Sequence, residues 1–273
     1  MKKEQKIIYY EDELNDDFDT TQNIKTKVID VNYDYVPRNV FWNISSFFWY
    51  RIVATPLAYC YLKCKFKHKI IGKEKLKLAG KNGYFLYGNH THPTADAFIP
   101  AMLSGKKRSY VIVHPNNISL PVIGRFTHRM GALPLPNDLH TTKNFIKAVE
   151  TRVNQGNAVV IYPEAHVWPY YTDIRPFTEK SFRYPVQMNF PTYCFTNTYQ
   201  KTKRGGVKIV TYIDGPFYTN PSLERKEQEM ALRNEVYKTM KWRSKFNNVE
   251  VIKYIKKAKV KDEKEIEDGK STR

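Results

Sequence analysis

Residues 84–96 read YFLYGNHTHPTAD, and this stretch decides which fold the chain adopts. Its first four residues are an apolar run that is typical of a buried strand, and Gly88 leads from them into a polar turn. Residues 97–103 are again apolar and have the length of a helix. The order strand, polar turn, helix indicates an α/β domain, in which functional groups gather where strands end.

The same alternation continues over residues 66–255. Further strands are predicted at 110–113, 132–135, 158–162, 192–198 and 207–213, and helices at 120–129, 142–154 and 220–245. The strand at 158–162 is apolar throughout, as strands of parallel sheets are. Asn220-Pro221 has the form of a helix cap followed by a first-turn proline. The sequence therefore predicts a single α/β domain with a mostly parallel or mixed sheet flanked by helices.

The charge of the chain indicates a polyanionic partner. Lys and Arg number 45 and Asp and Glu 27, so the formal net charge is +18. Nucleic acid, an anionic membrane surface and a phosphorylated substrate all fit this surplus. The three cysteines, Cys60, Cys64 and Cys194, cannot form a closed disulfide framework, and we interpret them as reduced thiols in a cytosolic setting.

Both ends of the chain are predicted to lie outside the domain. The first 20 residues contain seven acidic residues and no apolar stretch of the kind found in secretory signals. Residues 1–37 are therefore interpreted as an acidic arm, mobile or lying as a peripheral flap up to Asp34. Residues 256–273 are interpreted as a charged tail.

An aromatic segment, residues 38–65, precedes the domain. Residues 40–62 contain eight aromatic side chains, but Arg51 and Pro56 interrupt them, whereas a spanning helix needs about 20 apolar residues. Seven lysines follow between residues 63 and 77, opposed only by Glu74. Apolar aromatic residues beside a polybasic stretch predict peripheral or monotopic attachment to the cytoplasmic face of an anionic membrane. A buried helical hairpin and a true membrane span are the alternatives.

Two polar constellations follow predicted strands. In the first, His90 can act as a general base whose ring Asp96 orients, and His92 is a second candidate for the base. No Ser or Cys nucleophile lies nearby, which favours direct attack by a substrate hydroxyl. In the second, Glu164 and His166 follow the strand at 158–162 and are expected at the same edge of the sheet.

Basic residues lie between these constellations. Arg125 and Arg129 are four residues apart on a predicted helix and could face a phosphate, although such a spacing is equally typical of a solvated helix face. Gly131 follows them at a predicted turn.

The order of the motifs resembles that of the glycerolipid acyltransferase family, typified by 1-acyl-glycerol-3-phosphate acyltransferases. Asn89-His90 with Asp96 resembles the family's Asn-His-four residues-Asp motif, although here five residues intervene. Tyr162-Pro163-Glu164 resembles its Phe-Pro-Glu-Gly motif, with Ala165-His166 in place of Gly-Thr and without the arginine that follows. Further similarities are Gly124 with Gly131, Pro176-Phe177, Pro191 and Gly215-Pro216, so the resemblance covers roughly residues 66–217.

The resemblance implies a glycerol-3-phosphate acyltransferase-like domain and an O-acyltransferase of phospholipid biosynthesis. Such an enzyme moves a fatty acyl chain from acyl-CoA or acyl carrier protein to a lyso-lipid hydroxyl, and it needs no cofactor and no metal. His90 and Asp96 become the catalytic pair. Substrate-binding roles are implied for Asn89, His92, Arg125, Arg129, Gly131, Glu164, His166 and Arg175. A lyso-lipid, an acyl donor and an anionic membrane surface are the expected partners, and nucleic acid is not.

Two other interpretations remain open from the sequence. The spacing His90-x-His92 with Asp96 is similar to that of metallo-β-lactamase-type hydrolases, in which such histidines bind zinc. A non-catalytic protein that binds anionic membrane surfaces or nucleic acid would also explain the charge and the aromatic residues.

Overall fold

The computed structural model describes residues 5–18, 25–121 and 123–257. Its strands are β1 (Lys6–Tyr10), β2 (Lys69–Ile71), β3 (Tyr84–Gly88), β4 (Ser109–Val113), β5 (Ala132–Pro134), β6 (Ala158–Ile161), β7 (Thr192–Lys201), β8 (Val207–Phe217) and β9 (Ile252–Lys256). Its α-helices are α1 (Val40–Phe47), α2 (Thr55–Phe66), α3 (Ala95–Ser104), α4 (Asn116–Ser119), α5 (Gly124–Thr127), α6 (Leu139–Asn154), α7 (Arg183–Met188) and α8 (Arg225–Ser244). A π-helical turn, Phe48–Ala54, joins α1 to α2, and Lys73–Ala79 and Lys180–Phe182 are 3-10 helices.

A seven-stranded sheet in the order β2-β8-β7-β3-β6-β4-β5 organises the fold. All neighbouring strands run parallel except β7 and β8, which form an antiparallel pair. The predicted class, an α/β domain with a mostly parallel or mixed sheet flanked by helices, is therefore confirmed. Because β3 and β6 are parallel neighbours, the turns that follow them meet at one edge of the sheet.

The two faces of the sheet carry separate apolar clusters. Phe85 and Tyr87 of β3 face the cluster that includes Phe145 of α6, whereas Tyr84 and Leu86 face the cluster beneath α2 and α3. This alternation is what a strand buried on both faces requires, since successive side chains point to opposite sides. The central strand is thereby fixed in register, and so is the turn that it leads into.

Two predicted helices differ from the observed ones. Residues 120–129 do not form one helix, since Leu120 is extended before Pro121, as residues before proline prefer to be. Of the described residues in this stretch, only those of α5 are helical, and α4 ends just before it. The last helix begins at Arg225 and not at Asn220, because Glu224 and Glu227 form a capping box there. The other predicted helices and strands are found within a few residues of their expected positions.

Residues 5–18 are packed against the domain, as expected of a peripheral flap and not of the alternative, a mobile arm. β1 pairs in parallel with β9, and Tyr10 and Phe18 lie against the buried Trp168. Each strand has only five residues, and its partner lies at the other end of the chain, so neither was predicted. Residues 1–4 and 19–24 of the predicted arm, and residues 258–273 of the predicted tail, lie outside the described residues.

The aromatic segment forms α1, the π-helical turn and α2. Pro56 stands in the first turn of α2, where a missing N–H costs little, and the π-helical turn precedes it. The segment leaves a row of apolar side chains exposed: Val40, Phe41, Ile44, Phe47, Phe48, Ile52, Leu57 and Tyr59. A helical hairpin buried in the core would not leave these side chains exposed, so the alternative of a buried hairpin is wrong. Within the described ranges, none of the helices combines the length and the hydropathy needed to cross a membrane.

Candidate active site

The turn after β3 brings His90 and Asp96 together. His90 Nδ1 lies 2.9 Å from Asp96 Oδ2, and the same oxygen accepts a hydrogen bond from the backbone N–H of His92 at 2.9 Å. Asp96 stands in the first turn of α3 and its side chain is 2% exposed, whereas that of His90 is 20% exposed. The five residues between them are accommodated by the turn. With Nδ1–H bound to the carboxylate, Nε2 is the nitrogen that His90 offers to a substrate.

His92 is used differently, although it lies in the same turn. Its Nδ1 accepts hydrogen bonds from the backbone N–H groups of Thr94 and Ala95 at 3.2 and 3.1 Å. Burial lowers the pKa of its imidazole, so the ring is held neutral. This geometry favours His90 over His92 as the base. It also does not fit a zinc-binding pair: because Nδ1 of His92 accepts two hydrogen bonds, the neutral ring carries its proton on Nε2, and neither nitrogen offers a lone pair to a metal ion.

Glu164 supports the backbone of His90 from the neighbouring strand. Its carboxylate accepts hydrogen bonds from the backbone N–H of His90 at 2.9 Å and from that of Arg175 at 3.0 Å. The side chain is completely buried, and burial raises the pKa of its carboxyl, an effect that the nearby Arg175 opposes. Because both carboxylate oxygens are buried and accept backbone hydrogen bonds, the geometry favours a role for Glu164 in positioning His90 over the predicted contact with the acceptor.

Arg175 is also buried and occupied. Its guanidinium lies 4.0 Å from Glu164 Oε2 and donates to the carbonyl oxygens of Glu164, His166 and Glu13. One face of the guanidinium lies over the ring of Trp168. The guanidinium is buried, and within the described residues its Nε is the one nitrogen without a hydrogen-bond partner, so it presents no donor to a phosphate at the surface and the structure does not support the predicted substrate-binding role of Arg175.

His166 lies at the same edge but faces the N-terminal residues. Its Nδ1 lies 3.2 Å from Asp17 Oδ2, and the indole N–H of Trp168 donates to the carbonyl oxygen of Asp16 at 2.8 Å. Residues 10–18 therefore form an outer wall over His166, Trp168 and Arg175.

Asn89 ties the turn to β7. Its side-chain oxygen accepts from the backbone N–H of Asn197 at 2.8 Å, and its amide group donates to the carbonyl oxygen of Asn197 at 3.0 Å. Since both ends of the amide are engaged and the residue is buried, Asn89 holds the turn and does not contact substrate through its side chain.

The remaining predicted residues lie elsewhere. Gly131 precedes β5, and Arg129 lies two residues earlier, so both are at the edge of the sheet where the parallel strands begin, opposite to His90. The Arg129 guanidinium lies over the ring of Trp42, and the exposed Arg125 is one helical turn away. Gly131, Arg129 and Arg125 do not lie beside His90, because the segment between β4 and β5 runs from the C-terminal ends of the parallel strands to their N-terminal ends.

Two residues at the site were not predicted to act there. The ring of Tyr162 stacks on His90 with centroids 4.5 Å apart, and its hydroxyl donates to the carbonyl oxygen of Asp96 at 2.5 Å. Asn197 donates from Nδ2 to Asp96 Oδ1 at 3.2 Å. For Asn197 the sequence did contain a signal, since a polar residue interrupts the inward-facing row of Tyr193, Phe195 and Tyr199.

The exposed nitrogen of His90, backed by a buried carboxylate, can remove a proton from a hydroxyl.

Comparisons with known proteins identify the family of the chain. The sequence model of the acyltransferase family matches residues 67–215, a range that contains His90, Asp96 and Glu164. No curated protein sequence matches the chain. Among solved structures, the fold is similar to that of the 1-acyl-sn-glycerophosphate (LPA) acyltransferase PlsC from Thermotoga maritima. The two are 14% identical, the match covers 73% of this chain and 87% of that one, and the TM-score is 0.48.

Proposed function

Because the chain belongs to the acyltransferase family and is an O-acyltransferase, we propose that it acylates the free hydroxyl of a lyso-glycerolipid, such as 1-acyl-glycerol-3-phosphate. Acyl-CoA or acyl carrier protein is the donor, and the reaction serves phospholipid biosynthesis. Membership of this family argues against the interpretations as a zinc hydrolase and as a non-catalytic binder. No metal or cofactor is needed in this proposal, since the thioester already carries an activated acyl group.

The observation that carries the proposal is the His90–Asp96 pair. His90 Nε2 takes the proton of the acceptor hydroxyl, while Asp96 Oδ2 holds Nδ1–H at 2.9 Å and stabilises the imidazolium that forms. The acceptor oxygen then bonds to the thioester carbonyl carbon. When the tetrahedral intermediate collapses, the carbon–sulfur bond breaks and the imidazolium returns its proton to the thiolate.

The decisive experiment is mass spectrometry of lipids after incubation of the enzyme with a panel of lyso-lipids and either donor. We expect one lyso-lipid class to gain an acyl chain, and His90→Ala to lower the rate by at least about 10²-fold, the lower range for general-base catalysis. His140→Ala is the matched control, because His140 is exposed on α6, and it should retain full activity. If no lyso-lipid is acylated from either donor, the proposal fails.

We also propose that the exposed apolar row on α1, the π-helical turn and α2 rests on the cytoplasmic face of an anionic membrane. Its residues include Phe41, 82% exposed, and Phe47, 61% exposed. So many exposed large apolar side chains on one segment are unusual unless they contact a partner, and the lysines from Lys63 onward suit anionic headgroups.

Flotation with liposomes tests this membrane proposal. The wild-type protein should float with anionic vesicles, less so at high salt, and Phe41→Ser with Phe47→Ser should abolish flotation. Trp242→Ser is the matched control, because Trp242 is half-exposed on α8. Flotation that is the same in the double variant would contradict this orientation.

A further inference from the structure

A chain of buried hydrogen bonds continues from Asp96 into the interior of the domain. Asp96 Oδ1 accepts from Asn197 Nδ2 at 3.2 Å, and Asn197 Oδ1 accepts from the hydroxyl of Thr211 at 2.6 Å. The oxygen of Thr211 in turn lies 2.8 Å from Nε2 of His68. All four residues are at least nine-tenths buried.

The sheet places these side chains in one line. Asn197 of β7 and Thr211 of β8 are register partners in the antiparallel pair, and Thr211 is the register partner of Ile70 in β2. His68 immediately precedes β2, and Asp96 lies beyond the end of β3. The chain of hydrogen bonds therefore runs across β8 and β7, from the residue before β2 to the first turn of α3.

The surroundings of the chain are apolar. Asn197 lies between Phe195 and Tyr199 on the inward face of β7, and Thr211 lies between Ile209 and Ile213 on that of β8. A buried polar group without a partner would be costly there, so each of these side chains depends on the next one.

The direction of every hydrogen bond in the chain is determined. A threonine hydroxyl has one proton, and Thr211 gives it to Asn197, so the Thr211 oxygen must accept from His68 Nε2–H. Burial, together with the nearby Lys63 and Lys73, lowers the pKa of His68 to about 4, so the ring is neutral. All donors thus point toward Asp96, and the amide of Asn197 cannot turn its oxygen to the carboxylate without losing the Thr211 hydrogen bond.

We propose that Asn197, Thr211 and His68 are positioning residues for the catalytic pair, a donor chain that fixes Asp96 so that Oδ2 holds His90 Nδ1–H. This inference rests on the proposed function, in which His90 is the base. It extends the catalytic pair of His90 and Asp96 to a row of five residues, four of which are buried.

The test compares Thr211→Val with Thr211→Ser. Valine has nearly the shape of threonine but no hydroxyl proton, so Asn197 loses its donor and its amide is free to turn. We expect kcat to fall about tenfold with KM changed less than twofold, because the base is misplaced while the substrate site is intact. Serine keeps the hydroxyl and should restore kcat to within about threefold of the wild type.

A spectroscopic readout separates positioning from loss of structure. In ¹⁵N NMR spectra of the full chain, the fraction of His90 in the Nδ1–H tautomer should fall in Thr211→Val and recover in Thr211→Ser. Thr196→Val is the matched control: the hydroxyl of Thr196 is buried on the opposite face of β7 and, within the described residues, has no hydrogen-bond partner. It should leave both readouts unchanged.

The outcomes distinguish the two proposals. If His90→Ala keeps its activity, the proposed mechanism fails. If His90→Ala is inactive but Thr211→Val has the wild-type kcat and tautomer, the donor chain alone is refuted. If Thr211→Val does not fold, His68→Leu and His68→Gln replace it, since glutamine can still donate to Thr211 and leucine cannot. Equal kcat in these two variants would overturn the inference.

Discussion

Replacing Glu164 by glutamine tests whether this residue supports His90 or contacts the acceptor. The carboxylate of Glu164 accepts hydrogen bonds from two backbone N–H groups, those of His90 and Arg175, one on each oxygen. Glutamine offers a single acceptor oxygen, so its amide group must face one of these donors. We therefore expect Glu164→Gln to destabilise the protein and to displace His90.

The magnitude of this effect follows from the burial of the side chain. One backbone N–H left unsatisfied in the interior costs about 1–3 kcal/mol, and a hydrogen bond to a charged group contributes about 1.5–3 kcal/mol. Arg175 also loses the negative charge that lies 4.0 Å away, and breaking a buried ion pair typically costs about 3–5 kcal/mol. We expect the free energy of unfolding to fall by about 3 kcal/mol.

Urea unfolding followed by circular dichroism measures this loss. With a urea dependence of about 3 kcal/mol per molar, 3 kcal/mol corresponds to a midpoint lowered by about 1 M. Glu150→Gln, an exposed substitution on α6, should leave the midpoint unchanged. Under conditions where the variant remains folded, kcat should fall and KM for the acceptor should not rise. An unchanged midpoint with a raised KM would refute the assignment of Glu164 as a buried support.

Two further predictions concern stability. Gly131→Ala should lower the free energy of unfolding in urea by about 2 kcal/mol or more, because Gly131 has φ +103° and an added Cβ would lie 2.4 Å from a carbonyl oxygen of β4. Gly206→Ala is the control and should be nearly neutral, because its Cβ would meet nothing closer than 3.4 Å. Equal losses in the two variants would contradict this reasoning. Burial raises the pKa of Asp214, but hydrogen bonds from Arg243 and Lys75 outweigh it and hold the pKa below its ordinary value. The Asp214 carboxylate therefore stabilises the fold above about pH 4, and this contribution is lost as the pH falls through its lowered pKa. Asp214→Asn should flatten the acid side of a profile of unfolding free energy against pH. An unchanged profile would count against the pairing of Asp214 with Arg243 and Lys75.

The domain was predictable from the sequence because its central strands are apolar throughout. Runs such as 84–87 and 158–162 fit only a strand buried on both faces, and the polar turns that follow them mark one edge of the sheet. β1 and β9 were not predictable, since five residues of ordinary composition become strands only when a partner at the far end of the chain is present. The start of α8 was missed because a capping box competed with a proline signal.

For the site, the sequence indicated which residues meet but not how each is used. His90, Asp96 and Glu164 were expected at one edge and are found there. The burial of these side chains was not predictable from the sequence. Because Glu164 is buried, it supports the backbone of His90 and is not offered to the acceptor. The position of Gly131 could not be inferred, because it depends on how far the chain between β4 and β5 travels across the sheet.

The pairing of β1 with β9 dictates the order in which the protein is completed during synthesis. Residues 6–10 leave the ribosome before the rest of the domain, yet they have no strand partner until residues 252–256 have followed them. Closing a loop of that length costs chain entropy. The β1–β9 pair can therefore be completed only after the catalytic turn has been synthesised, whereas the contacts of Tyr10 with Trp168 and of Glu13 with Arg175 need only residues that emerge earlier.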